Sequence, residues 1–214
     1  MAVSVTDLLF RPSRFFSSRL SDPGRLGPIL VVSLTGAITL GGQLLLVSMS
    51  VIGQEPMLRY VSHSLQISLP ATSVGGAIIS FGHIFGYWLV YSLVFYLVTI
   101  PFSDEGEFGS LFWLAGWGFL PWFLAGVFWL LAMLVSAQTI PEPVMQTGNA
   151  EFVRQVQETI FVQVTRPIET LGVIWSLGLW TILIRRVRSV KLWQALLAVL
   201  PVALFELAKM ILLF

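Results

Sequence analysis

Apolar residues fall along this chain in five long blocks separated by shorter links that carry the charge, the prolines and the tight glycines. The blocks are residues 27–52, opening "GPILVV", then 74–100, 110–135, 168–184 and 192–214. At about 1.5 Å per residue they cover roughly 25–40 Å, enough for a hydrocarbon core of about 30 Å once tilt is allowed. The pattern predicts five transmembrane helices, of which 168–184 is the shortest. It predicts an all-α fold, a polytopic membrane helical bundle with two further helices outside the spans.

Those two helices come from the polar stretches. Residues 1–26 form a cytoplasmic N-terminal segment whose stretch "LFRPSRFFSSRL" sets Arg11, Arg14 and Arg19 among Phe15 and Phe16. With Pro12 in an early turn, Leu8, Leu9, Phe15 and Phe16 share one face. This predicts an interfacial helix, with its arginines at anionic headgroups and its phenylalanines in the acyl boundary; a simple topology signal is the alternative. The second is the 139–167 loop. Its "IPEPV" favours extended backbone, and Asn149 can cap a helix over about 150–164. There Phe152, Val156, Ile160 and Val164 make one apolar stripe. Residues 27–214 then form a single transmembrane domain that includes this loop helix.

Charge orients the spans. Arg11, Arg14, Arg19 and Arg25 precede the first, and Arg185, Arg186, Arg188 and Lys191 fill the link between the fourth and fifth. The opposite side holds Arg59, Arg154 and Arg166. By the positive-inside rule the N-terminus is cytoplasmic and the C-terminus external, in a multi-pass protein of the cell membrane. Composition agrees: 56% of the 214 residues are hydrophobic and 11% charged, against roughly 25% charged in soluble domains. A net charge of +1 gives no reason to expect nucleic acid as a partner, whereas the lipid bilayer is one by construction. The absence of cysteine removes disulfides and thiolate metal ligands. The first apolar block is long and lies behind a polar lead-in, so no cleavable signal peptide is expected.

Candidate chemistry is sparse. His63 and His83 are the only histidines and form no metal-ligand pair. No nucleophile elbow, Walker loop or dinucleotide fingerprint occurs. Asp104, Glu105 and Glu107 in "SDEGEFG" could hold a divalent cation, or form a solvated acidic link. No cofactor and no catalytic or metal site is expected.

Inside the spans, Ser80, His83, Tyr87 and Tyr91 share one helix face, either a proton or substrate path or a hydrogen-bonded helix contact. Gly82 and Gly86 form a G-x-x-x-G that permits close helix approach. Glu206 and Lys209, three apart, can pair on the last span, with Lys209 able to reach the interface. In "GWGFLP", Pro121 frees a carbonyl near Trp117, and Gly116 and Gly118 allow a neighbour close, which predicts a kinked third span.

The lead-in "LLFRPSRFF", the stretch "GWGFLP" at 116–121 and the order of five spans with a longer segment after the third resemble the Yip domain family. These are the Ypt/Rab-interacting-protein-like, "Yip-one" integral membrane proteins, and the likeness is to the prokaryotic branch. The resemblance covers residues 8 to about 200. It implies an integral membrane protein without known catalytic activity. Eukaryotic relatives bind small Rab/Ypt GTPases, associate with one another and act in vesicle trafficking. This chain departs from them in lacking their long polar N-terminal region and its Asp-Leu-Tyr-Gly-Pro-like sequence, so a GTPase partner rests on family analogy only.

The expected function is that of a non-enzymatic membrane scaffold or membrane-organising factor. It would act through protein and lipid contacts, as a homo- or hetero-oligomer with other membrane proteins. The alternative is a small transporter or channel subunit with a polar path near His83, Tyr87 and Glu206. A weaker third is a membrane enzyme built on the 103–109 link.

Overall fold

The computed structural model describes residues 5–20, 22–50, 58–62, 65–69, 71–139 and 158–212. Two short helices, α1 (Val5–Phe10) and α2 (Pro12–Ser18), precede α3 (Leu26–Ser50). A hairpin, β1 (Leu58–Ser62) with β2 (Leu65–Leu69), leads into α4 (Ala71–Thr99). Helix α5 (Phe108–Ala115) passes through a 3-10 turn at Gly116–Phe119 into α6 (Leu120–Thr139). Helices α7 (Ile160–Val187) and α8 (Leu192–Leu212) follow.

Among the described residues, five segments are long and apolar enough to cross a membrane: Leu26–Leu45, Ile78–Phe102, Phe108–Ser136, Ile160–Val187 and Leu192–Ile211. The chain is therefore a multi-pass, all-α membrane protein. The fourth span departs most from its expected bounds, starting at Ile160 instead of 168, because the helix runs through Pro167. A proline is tolerated within a membrane helix when side-chain hydroxyls and neighbours meet the backbone groups it frees. The carbonyl that loses its usual helical donor at Pro167 is that of Gln163; the nearby Thr165 and Thr170 hydroxyls donate to other carbonyls, those of Val162 at 2.8 Å and Arg166 at 2.9 Å. Of the loop helix expected at 150–164, residues up to 157 lie outside the described residues, and Ile160 to Val164 are the first turn of α7. His63 and Asn149 are also outside them.

The hairpin was unexpected. Its antiparallel register sets Leu58 opposite Leu69 and Tyr60 opposite Ile67. Leu65, Ile67 and Leu69 alternate with Gln66 and Ser68, the period of a strand.

The chain packs as two units. The first comprises Met1–Ser33, Phe85–Trp122 and Leu171–Phe214. Trp180 is its centre: fully buried, it has ring contacts with Phe119 at 5.4 Å and with Tyr91 and Phe95 at 5.6 Å. Its indole N–H donates to the Ala115 carbonyl at 2.9 Å, at the point where α5 tightens into the 3-10 turn. A β-carbon on Gly118 would overlap that indole, so only glycine lets the two elements close. Gly116 meets Pro28 and Trp88 in the same way. Pro121 lies in the first turn of α6, where its missing N–H costs nothing. The third span is interrupted there, but the Trp117 carbonyl is not left free as expected; it accepts the Leu120 N–H.

The second unit comprises Leu34–Ile84 and Phe123–Thr170. Its close helix contacts are made by Gly36 against Phe81, Gly42 against Trp129 and Gly126 against Ile38. Gly82 and Gly86 do not make them: both are exposed, and a β-carbon on either would meet no heavy atom of the described residues within 4 Å. The motif spacing was present, but the residues that face one another lie elsewhere.

Candidate functional site

Tyr87 and Tyr91, one turn apart on α4, meet Glu206 and Lys209, three apart on α8, inside the first unit. Glu206 is 4% exposed. Its Oε1 accepts a short hydrogen bond from the Tyr91 hydroxyl and a second from Lys209 Nζ at 3.2 Å, while its Oε2 accepts from the same ammonium at 3.0 Å. Every side-chain oxygen therefore has a donor, which is the condition for keeping a carboxylate away from water.

Aromatic rings close around the pair. The Lys209 ammonium lies 4.8 Å from the centre of the Tyr87 ring, 5.3 Å from Trp122 and 5.5 Å from Phe205. Ring faces carry negative potential, so this cage stabilises the cation where solvent is scarce. Tyr87 stacks on Tyr91 at 5.6 Å, and Tyr91 stacks on Phe119 at 6.3 Å. Lys209 retains 29% side-chain exposure. The cluster has no net charge and joins α4 to α8. Chemically it can act as a latch between two helices, or pass a proton between a phenol and a carboxylate.

Of the face expected from spacing, Tyr87 and Tyr91 belong to this cluster, whereas Ser80 and His83 belong to the other unit. There Ser80 Oγ donates to Gln43 Oε1 at 2.7 Å, and His83 is exposed. One helix face is thus divided between two environments.

The N-terminal segment also differs from expectation. Pro12 does open α2, but the segment forms two helices, with Leu8 on α1 and Phe15 and Phe16 on α2. All three are fully buried within the first unit instead of lying in the acyl boundary. Phe15 packs edge-on against Trp117 at 5.1 Å, and the Arg19 guanidinium lies over both rings at 4.7 and 5.2 Å. Arg186 donates through Nε to Ser13 Oγ at 3.0 Å, fastening α2 to the end of α7. Of the three expected surface arginines, Arg11 and Arg14 are exposed.

Arg188 appeared in the sequence only as a topology charge. It is 2% exposed, and its guanidinium donates to the carbonyls of Ser103, Glu105 and Gly106 and to Thr99 Oγ1. It also lies 4.8 Å from the Tyr96 ring centre. The acidic link is therefore bound through its carbonyls, while Asp104, Glu105 and Glu107 are exposed. Gly106 takes a left-handed φ of 77°, and a β-carbon there would overlap the Val187 carbonyl. Among the described residues, no three acidic or histidine side chains are grouped to hold a metal. The one signal for Arg188 was the glycine in a short link next to a basic run.

Neither the curated proteins nor the solved structures include a match to this chain. A family model does match: the Yip1 domain aligns with residues 6–212, from α1 to the end of α8. The alignment spans the latch, the 3-10 break and the Arg188 clamp alike. The chain belongs to the Yip1 domain family.

Proposed function

We propose that the protein is a non-enzymatic scaffold or membrane-organising factor that works through contacts with other membrane proteins and with lipid. The observation that carries this reading is the state of its intramembrane charges. Glu206 and Lys209 satisfy each other, Tyr91 supplies the remaining donor, and aromatic rings fill the surroundings. The ion pair lies within α8, the Tyr91–Glu206 bond ties that helix to α4, and the set has no need of a passing ion. Family membership supports the same reading, since Yip1 domain proteins are not known for enzymatic activity. The runner-up, a small transporter or channel subunit, would use the Tyr91–Glu206 hydrogen bond as a proton step.

The experiment is reconstitution of purified protein into liposomes with a proton gradient and, separately, a monovalent cation gradient. A scaffold gives leakage equal to protein-free vesicles. A flux that Glu206→Gln abolishes would replace the scaffold with a transporter. The proposed orientation, N-terminus cytoplasmic and C-terminus external, rests on the arginines around the first span and the α7–α8 link. Protease-accessible tags at both ends check it; tags on the same side would overturn it.

A further inference from the structure

Ser17 and Leu20, at the end of α2, Arg185 and Arg186 in the last turn of α7, and Ser189 and Val190 just after it line a cavity of about 330 Å³ in the first unit. That is the lower end of the range for small-molecule sites. Among the described residues, no carboxylate lines it. Arg186 is partly committed to Ser13. Arg185 is exposed and has no hydrogen-bond or ion-pair partner among the described residues, and neither the Ser17 nor the Ser189 hydroxyl has one.

Two further observations give the cavity a ligand class and a depth. Ser189 holds a left-handed backbone with φ 50°, at a position after a helix end where glycine is the unstrained choice. A serine there keeps a hydroxyl on the cavity wall in spite of the strain. The cavity also lies between the end of one span at Val187 and the start of the next at Leu192. Trp193, 55% exposed, follows directly, and exposed tryptophans mark the headgroup level.

We propose that this cavity binds the phosphate of an anionic lipid headgroup. The Arg185 guanidinium is the principal cation, and the Ser17 and Ser189 hydroxyls are the neutral donors. The shared chemistry is a phosphate group held by a charge-assisted fork, and its position at the span ends selects a lipid over a free anion. The site does not depend on the scaffold reading, because a transporter could carry it equally.

The test uses full-length protein in neutral detergent, with bound lipid counted by native mass spectrometry. Phosphatidylglycerol should bind in preference to phosphatidylcholine. Arg185→Gln should weaken phosphatidylglycerol binding about fivefold to tenfold. Lys191→Gln, exposed on the same link but outside the cavity, should not. Ser189→Gly relieves the left-handed backbone, so its thermal midpoint without lipid should hold or rise while lipid binding falls. Millimolar inorganic phosphate separates the sources: lipid retained in its presence supports the headgroup, and complete displacement would move the assignment to a free phosphate. Equal binding of the two lipids, wild-type affinity in Arg185→Gln, or an equal loss in Lys191→Gln would overturn the site.

Discussion

Removing one hydroxyl from the latch shows how much it holds. Tyr91 is 3% exposed, and in Tyr91→Phe the ring stays, so stacking on Phe119 and edge contact with Trp180 are retained. What is lost is a hydrogen bond to an ionised carboxylate, a class that contributes about 1.5–3 kcal/mol. Glu206 Oε1 still accepts from Lys209 at 3.2 Å, so no oxygen is orphaned and the lower half of that range applies. In a chain of this length each kcal/mol moves the thermal midpoint by roughly 2–4 °C. The expected drop is therefore about 3–9 °C in detergent, followed by circular dichroism. Glu206→Gln should cost about 1–3 kcal/mol, discounted because the Lys209 side chain it leaves behind is 29% exposed. Adding Lys209→Met to Glu206→Gln should cost no more than Glu206→Gln alone, since the stranded cation goes with it. A Tyr91→Phe midpoint equal to wild type, or strictly additive losses at 206 and 209, would refute the latch.

Two other perturbations follow from the packing. Arg188→Lys keeps the charge but replaces a planar fork with a compact ammonium, leaving carbonyls of the 103–106 turn unpaired; a loss of about 3–5 kcal/mol is expected, read as a lower midpoint and faster proteolysis at that turn. Gly118→Ala should cost about 1–3 kcal/mol through its overlap with Trp180, whereas Gly86→Ala should be neutral or stabilising by up to about 1 kcal/mol; paired thermal midpoints check the contrast.

Span number and approximate ends were legible because hydrocarbon thickness demands long apolar runs, and the chain supplies five. The start of α7 was not, because a proline reads as a helix boundary in sequence, whereas here the helix runs through Pro167 back to Ile160. The hairpin had its signal in the alternation of Leu65, Ile67 and Leu69, but a rule that separates spans from links labels it a link. At the site, the Glu206–Lys209 pair could be read from a spacing of three on one helix. Its third member could not: spacing puts Tyr87 and Tyr91 on one face but does not say which helix that face meets. Phe15 and Phe16 show the same limit. An apolar face beside a membrane can turn to lipid or to protein, both equally apolar, and only the position of Trp117 decides. Arg188 was hidden because its partners are backbone carbonyls, which every sequence has.

The most direct test of a structural role for the intramembrane charges is complementation in cells that lack the native gene. The Glu206→Gln, Lys209→Met double mutant is expressed and its membrane abundance measured beside its activity. A scaffold whose charges serve only to join α4 and α8 remains abundant and restores the wild-type phenotype in full. A double mutant that accumulates to wild-type levels in the membrane yet restores nothing would contradict the scaffold and place Glu206 or Lys209 in the protein's chemistry.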